Sequence, residues 1–367
     1  GEWDDSERAE YRKIFRKMIY PALTPVAVDP SHPFPVLNNC AIEIAVRLKQ
    51  NRSKKVFRAF VEVPSVLPRF IAAPTKRFSS SKKVYAYLED IIIEFIGELF
   101  NGCEILEAIP FRITKDMDFS IDEEGVADLL SHIQKELLGR RTRHALRVEF
   151  IKGQSSSLEK WIMDQLEVGE DCKFLVDGPL HLANFFEFIA KESRGALVEE
   201  EWYPLQSKDF SGAESVFASI KKREYIPLFL PYQSFEPVVR LINEAADDPN
   251  VLAIKQTLYR VSGNSPVVAA LQRAAINGKQ VTVIVELKAR FDEGNNIVWA
   301  KKLEESGAHV IYGMPGLKIH CKALMIIRRE EGGIRRYLHL STGNYNDKTA
   351  KVYTDIGYFT ADEDLAT

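Results

Sequence analysis

Lys318, His320 and Lys322 stand at alternate positions in the otherwise apolar stretch GLKIHCKALMI, residues 316–326. Side chains alternate between the two faces of a strand, so a strand here would place these three nitrogen bases on one face. The apolar residues between them, and Cys321 with them, are then expected to pack inward. The pattern predicts a strand with a cationic, chemically active face.

The chemistry that this face predicts is transfer of a phosphoryl group. Cations on either side of His320 disfavour the imidazolium form, and a neutral imidazole is a nucleophile. The amino groups of Lys318 and Lys322 would stabilise the charge on phosphoryl oxygens during transfer. A lone histidine on a strand is more often a packed structural residue, but a row of positive charges is poor company for a buried apolar histidine.

Two arginines are expected at one edge of a parallel sheet. Arg260 follows the apolar run that ends near residue 258, and Arg290 follows the run that ends near residue 287, with Lys288 beside it. Ligands of open α/β sheets bind at the carboxyl ends of the strands, and guanidinium groups suit phosphate oxygens. The alternative, that each arginine pairs with a surface carboxylate such as Asp292 or Glu293, stays open.

The residues after the histidine suggest further site groups. The turn STGNYN, residues 341–346, could present hydroxyls, amides and Asn344 to the same place. His339 lies on the returning strand and could face the site, whereas His309 is expected only to pack. His320-x-Lys322 resembles the phospholipase D motif, but Ile327 stands where that motif has an aspartate, which counts against a phosphodiesterase that needs the full motif.

The pattern of elements indicates two regions. Residues 1–205 mix strands and helices without a simple order, as in an α+β domain, and include a predicted amphipathic helix over residues 79–102. From residue 206 a strand–helix–strand–helix–strand series predicts a parallel α/β sheet, followed by antiparallel strands from the histidine onward. Ser265, Pro266 and Gly278 are typical signals for the start and end of its first helix.

Composition excludes several classes of function. The chain has 367 residues, 46% hydrophobic and 28% charged residues, and a formal net charge of −3. Such a balance gives no bulk attraction for nucleic acid, so an anion site must be local. The four cysteines form no CxxC pair, which disfavours a zinc or redox motif. The start at Gly1, without Met or a signal-peptide pattern, suggests a piece of a longer protein.

Segments 229–260, 278–313, 316–322 and 340–363 resemble the first family of polyphosphate kinases in order, spacing and wording. The resemblance is specific over roughly residues 225–364 and weaker upstream. It implies an α+β head domain of the dimerisation type at 1–205 and a phospholipase-D-like α/β domain with a mixed sheet at 206–367. The family's N-terminal helical domain and second catalytic domain are expected to be absent from this chain.

The resemblance also implies roles for individual residues. His320 matches the phosphorylated histidine, with Lys322 beside it as a catalytic residue. Arg260 and Arg290 match arginines associated with a Mg²⁺–phosphate site, which they would reach through phosphate or water, and Tyr353 matches a tyrosine associated with the nucleotide. Lys318 and Asn344 complete the expected substrate-binding set.

The expected activity is reversible transfer of the terminal phosphate of ATP to polyphosphate. ATP or ADP and polyphosphate are the expected substrates, Mg²⁺ the cofactor, and a homodimer or homotetramer the assembly, with no nucleic acid partner. A cytoplasmic location is expected, with peripheral membrane association left open. Two alternatives remain: a phosphodiesterase of the phospholipase D type, and a non-catalytic polyphosphate-binding module.

Overall fold

The architecture comes from a computed structural model, which describes residues 3–28, 34–73, 84–117, 129–139, 142–154, 156–192, 197–212, 214–289, 292–313 and 317–366. The chain divides into two compact units, one formed by residues 1–117 and 138–199 and the other by 118–137 and 200–367. The described residues 129–137 therefore group with the second unit. A domain boundary near residue 205 stays a prediction.

Unit 1 is built on a six-stranded sheet with helices packed against it. The sheet order is β1-β3-β2-β6-β7-β8, antiparallel except for the parallel pair β7 and β8. Its strands are β1 (Val26–Val28), β2 (Ile42–Gln50), β3 (Val56–Glu62), β6 (Cys103–Lys115), β7 (Ala145–Ile151) and β8 (Lys173–Val176), and a separate hairpin pairs β4 (Phe70–Ala72) with β5 (Tyr85–Tyr87). Its helices are α1 (Asp5–Ile14), α2 (Leu88–Phe95), α4 (Ser156–Gln165) and α5 (Phe185–Lys191).

The predicted helix over residues 79–102 is wrong in its first part. Tyr85–Tyr87 form a strand that pairs with Phe70–Ala72, and the α-helix begins only at Leu88. Aromatic contacts explain the difference: the ring of Tyr87 lies 5.6 Å from that of Phe70. Cross-strand aromatic pairs of this kind stabilise a sheet by roughly 0.2–1 kcal/mol each. Residues 79–83 of the prediction lie outside the described residues.

Unit 2 contains a seven-stranded mixed sheet in the order β12-β11-β10-β13-β14-β15-β9. Its strands are β9 (Tyr225–Leu230), β10 (Val251–Leu258), β11 (Gln280–Val285), β12 (His309–Tyr312), β13 (Lys322–Glu330), β14 (Gly333–Ser341) and β15 (Asp355–Thr360). Its helices are α3 (Leu129–Gly139), α6 (Val216–Lys222), α7 (Glu236–Asp247), α8 (Pro266–Ile276) and α9 (Glu293–Glu305). Of α3, the residues up to 137 belong to this unit. Strands β10, β11 and β12 are parallel and the other pairings are antiparallel.

The mixed α/β fold predicted from the sequence is confirmed: parallel strands β10, β11 and β12 are followed by antiparallel strands, and the antiparallel strand β9 precedes them. The signals at α8 are also confirmed: the Oγ atom of Ser265 accepts a hydrogen bond from the Val268 amide at 3.3 Å, and Gly278 has a φ of +82°. The helix buries Val267 and Leu271 completely. Each such side chain contributes roughly 1.5–3 kcal/mol of transfer free energy, which fixes α8 on the sheet.

The strand predicted to run through His320 begins later, at Lys322. The predicted alternation also fails there, because Cys321 is exposed whereas Lys322 is buried. A side chain of the neighbouring strand explains the change of phase. The hydroxyl of Thr257 donates to the Cys321 carbonyl at 2.8 Å and accepts from the Ala323 amide at 3.0 Å. These bonds replace regular ladder bonds at the start of β13.

Within the described part of the chain, no helix is long and apolar enough to cross a membrane.

Candidate functional site

Those predicted site residues that the structure describes lie along one edge of the sheet in unit 2, the edge formed by the ends of its strands. Strands β10 and β11 end at this edge, and β13, which is antiparallel to β10, begins there. Lys322 at the start of β13 pairs with Ser341 at the end of β14, and Ser341 pairs with Gly357 near the start of β15. The register therefore places the segments that follow β10, β11 and β14, and those that precede β13 and β15, along one edge.

The ring of Tyr259 lies at the centre of the cationic residues. The His320 ring packs edge-on against it, with 5.2 Å between centroids and 79° between planes. The charged groups of Arg260, Lys318 and Lys322 lie 5.8, 5.7 and 5.6 Å from the same ring. The face of an aromatic ring attracts cations, so Tyr259 holds mutually repelling charges together. The structure thus brings together four of the predicted residues around a tyrosine to which the sequence analysis gave no role.

Lys322 contacts His320 directly. Its Nζ atom donates to the His320 carbonyl at 2.6 Å and lies 3.1 Å from both ring nitrogens. Burial lowers the pKa of Lys322, while the nearby Asp355 acts in the opposite direction. The sequence analysis expected Lys322 on an exposed face beside the histidine. The structure keeps the contact and buries the lysine stem.

A second pair of lysines increases the positive charge at this edge. Burial lowers the pKa of Lys288, and the positive charge of Lys318 lowers it further. These two lysines, from the loop after β11 and the segment before β13, are therefore electrostatically coupled. A local concentration of positive charge favours a ligand that is itself a polyanion.

Arg260 forms an ion pair with a carboxylate. Its Nε atom lies 3.2 Å from Asp292 Oδ2, and both side chains are more than a third exposed. For this arginine the structure shows the pairing with a carboxylate that the sequence analysis left open. An exposed pair of this kind contributes at most about 1 kcal/mol, so a phosphate could replace the carboxylate. Arg290 lies outside the described residues, and Glu293, three residues later in sequence, is buried.

Two buried residues that the sequence analysis missed connect the loops of the site. The Glu286 carboxylate accepts hydrogen bonds from the amides of Lys288, at 2.9 Å, and Ile319, at 2.7 Å. The Asn296 side chain donates to the carbonyls of Tyr259 and Glu286. An acidic residue directly after an apolar strand was the available sequence signal for Glu286, whereas Asn296 carried none.

The loop after β14 is organised around His339. This residue is buried, and its Nδ1 atom lies 3.0 Å from the hydroxyl of Tyr345. Burial lowers the pKa of His339 to about 3. His339 therefore supports the loop from inside the sheet rather than presenting an exposed ring at the edge. His309, expected to pack, is exposed at the start of the edge strand β12.

The two remaining predicted residues lie in the segments that flank this loop. Among the described residues, the Oδ1 atom of Asn344 is buried without a hydrogen-bond partner. Tyr353 is 62% exposed and lies two residues before β15. Both stand at the edge where β14 ends and β15 begins. The Asn344 oxygen can accept a hydrogen bond, and the Tyr353 ring is open to a ligand.

Comparison with known proteins identifies the family of this chain. The family model for the polyphosphate kinase middle domain matches residues 6–188, and that for C-terminal domain 1 matches residues 215–367. Curated relatives named polyphosphate kinase include one from Exiguobacterium sibiricum, 47% identical over 98% of this chain and 50% of its own length. Another, from Halalkalibacterium halodurans, is 47% identical over 99% of this chain and 52% of its own length.

A solved structure agrees with the family models. The polyphosphate kinase from Porphyromonas gingivalis is 28% identical, with a TM-score of 0.74, and the match covers 100% of this chain and 53% of the other. This chain spans about half the length of the curated relatives that it matches. The two family models together cover most of the chain, and it belongs to the polyphosphate kinase family.

Proposed function

We propose that the protein to which this chain belongs transfers the terminal phosphate of ATP reversibly to polyphosphate through a phosphohistidine at His320. One observation carries the proposal. The exposed His320 ring packs against the ring of Tyr259. The charged groups of Lys318, Lys322 and Arg260 all lie within 6 Å of the centroid of that tyrosine ring. A nucleophilic nitrogen among cations at the end of a parallel sheet suits attack on a phosphoryl group.

The transfer proceeds in two displacements. A ring nitrogen of His320 donates its lone pair to the terminal phosphorus of ATP, so an N–P bond forms while the P–O bond to ADP breaks. A terminal oxygen of polyphosphate then attacks the same phosphorus, the new P–O bond forms, and the N–P bond breaks. The electron pair returns to the imidazole. Each step is reversible. In one direction the leaving group is a phosphate oxygen of ADP or polyphosphate, in the other it is the imidazole nitrogen of His320, and the two leave with comparable ease.

The surrounding residues bind and orient the phosphates in this proposal. Lys322 holds the His320 carbonyl and lies against its ring, which fixes the nucleophile. Lys318, Lys288 and Arg260 supply positive charge for the phosphoryl oxygens, with Arg260 exchanging Asp292 for phosphate. By resemblance, Arg290 joins Arg260. Asn344 and Tyr353 contact the substrates at the far side of the edge.

Magnesium fits the site as an ion carried by the nucleotide. Among the described residues there is no cluster of three or more His, Cys, Asp or Glu side chains that could hold a metal. Mg²⁺ commonly keeps several waters and binds through one or two carboxylates plus substrate phosphates. Asp292, beside Arg260, is a carboxylate at this edge that can serve in this way. The ion would neutralise phosphate charge, and Arg260 would reach it only through phosphate or water.

The partners and location follow the same proposal. ATP or ADP and polyphosphate are the substrates, the protein acts as a homodimer or homotetramer, and it works in the cytoplasm. The domains that its relatives carry beyond this chain would complete the cleft. The decisive experiments therefore use the full-length protein.

The experiment is labelling with γ-³²P-ATP and Mg²⁺. We expect acid-labile, base-stable label on the parent protein and none on His320→Asn. His309→Asn is the matched control, because His309 is an exposed histidine of the same unit. Equal labelling of His320→Asn and the parent would overturn the proposal. Cleavage of a bis-phosphodiester would favour the phosphodiesterase instead, and salt-sensitive polyphosphate binding without label would favour a binding module.

A further inference from the structure

The loops of the site are joined by one buried carboxylate and one buried amide. We propose that Glu286 and Asn296 form a positioning pair that holds the His320 segment in place for phosphoryl transfer, an inference that rests on the proposed function. Neither side chain touches the His320 ring in the contacts described above. Their role is to fix the backbone that carries the ring.

Glu286 connects the end of β11 to the His320 segment. One carboxylate oxygen accepts from the Lys288 amide at 2.9 Å, and the other accepts from the Ile319 amide at 2.7 Å. The side chain is 3% exposed. Ile319 immediately precedes His320 and is itself buried. The carboxylate therefore anchors the chain one residue from the proposed nucleophile.

Asn296 extends the connection to the loop after β10. Its Nδ2 atom donates to the Tyr259 carbonyl at 2.6 Å and to the Glu286 carbonyl at 2.9 Å. It lies on α9 and is 2% exposed. Both hydrogens of the amide are thus used on two different loops. The ring of Tyr259, which packs against His320, is held through the same side chain.

These anchors matter because the segment that carries His320 is not part of a regular strand. Residues 318–321 precede β13 and lie outside its ladder. The Glu286 bond before His320 and the Thr257 bond to the Cys321 carbonyl hold this segment on both sides. A displacement of about 1 Å at a reacting atom lowers a rate on the order of 100-fold. The positioning pair therefore controls the rate of the chemical step.

A carboxylate is required at position 286, since it offers two acceptor oxygens to two backbone donors. Glutamine has the same shape but only one oxygen, so its NH₂ group would face one of the two amide donors. At position 296, aspartate would replace the two donated hydrogens by an acceptor facing two carbonyls. Glu286→Gln and Asn296→Asp are therefore nearly isosteric changes that break the connection from either end.

The test measures His320 phosphorylation of the full-length protein across a range of ATP concentrations. We expect each variant to lower the maximal labelling rate by roughly 10- to 100-fold, while the half-saturating ATP concentration changes less than about threefold. The double variant should lose little more than either single variant, because both changes break one connection. Glu244→Gln is the control: its carboxylate accepts the Val216 amide at 2.8 Å elsewhere in unit 2, and its labelling should match the parent.

The outcomes separate this inference from the proposed function. If the parent itself takes no label at His320, the proposed function fails. If the parent is labelled and both variants are labelled at its rate, the positioning pair has no such role. An equal loss in Glu244→Gln, or losses in the two variants that multiply, would also overturn it. Should one variant fail to show a cooperative thermal transition, the other carries the test, since the two changes lie on different elements.

Discussion

Burial of a histidine ring links the stability of unit 2 to pH. His339 is 1% exposed and has its pKa lowered to about 3, because burial penalises the imidazolium form. In the unfolded chain a histidine titrates near 6.5. Between these values the unfolded state binds a proton that the folded state does not. The free energy of unfolding therefore falls as pH drops from about 6.5 toward 3, and above that window the effect is absent.

The corresponding prediction concerns His339→Asn. Removing the buried ring should reduce the slope of unfolding free energy against pH by up to about 1.4 kcal/mol per unit between pH 6 and 4, although the variant loses stability at every pH. Urea unfolding followed by pulsed hydrogen exchange of β14 peptides measures this. The same substitution at the exposed His309 is the control. A loss of slope there as large as at His339 would contradict the assignment to the buried ring.

The sequence allowed us to predict which residues belong to the candidate site, but not which of their side chains are buried. Lys318 and His320 were recognised because they alternate with apolar residues within one stretch, and Arg260 because it follows the end of an apolar run. The inward position of Lys322 depends on the hydroxyl of Thr257, a residue 65 positions earlier whose partner only the folded register reveals. Period-two geometry cannot anticipate such a replacement of ladder bonds. The functional roles of these residues remain predictions until labelling tests them.

The turn between β14 and β15 requires a glycine at position 343, because there is no room there for a side chain. A Cβ atom at Gly343 would lie 2.5 Å from Oδ2 of Asp355 and 2.6 Å from its Cγ atom. Asp355 is held there by the Thr342 hydroxyl, which donates to it at 2.7 Å. The amide of Gly343 also donates to the Ser341 hydroxyl at 3.0 Å. The turn therefore closes tightly at the edge where Asn344 stands.

Gly343→Ala should consequently disturb both stability and activity. We expect a loss of roughly 1–3 kcal/mol in the free energy of unfolding, since the new methyl group must displace Asp355 or the turn. Polyphosphate synthesis by the full-length protein should fall at the same time. Gly332→Ala is the matched control, because a Cβ atom there meets nothing within 4 Å and the β13–β14 turn lies at the opposite edge. Unchanged unfolding and activity in Gly343→Ala would refute the packing argument.

Helices and strands were predicted correctly where apolar periodicity and capping residues agreed. The prediction failed where pairing with a distant strand determined the secondary structure. The helix Pro266–Ile276 carries apolar periodicity, an N-cap serine and a terminal glycine, so its limits were readable. Tyr85–Tyr87 continue an apolar pattern into a helix, yet they pair with Phe70–Ala72 because aromatic partners lie there. Strand β9 was not predicted, and it joins the sheet through β15, more than 120 residues away in sequence. Long-range pairing leaves little local trace.

At the scale of the whole molecule, the balance of charge makes polyanion binding a local property. The chain carries a formal net charge of −3, which repels rather than attracts a polyanion at a distance. Under the proposed function, attraction comes from the sheet edge with Arg260, Lys288, Lys318 and Lys322. At physiological ionic strength charges are screened beyond about 8 Å, so cations elsewhere on the surface contribute little. Affinity for polyphosphate should therefore depend on salt through a few identifiable residues.

The test is polyphosphate binding at several salt concentrations with Arg260→Gln and Lys318→Gln combined. Removing two cations should weaken binding and reduce the slope of log affinity against log salt by roughly one for each counterion no longer released. The control combines Lys221→Gln and Lys222→Gln on α6, where Lys221 pairs with Glu330 at the far end of β13 and Lys222 with Glu214. The control removes the same formal charge but leaves the edge intact. If it reduces the slope as much as the edge variant, net charge rather than the edge governs binding, and the location of the site must be revised.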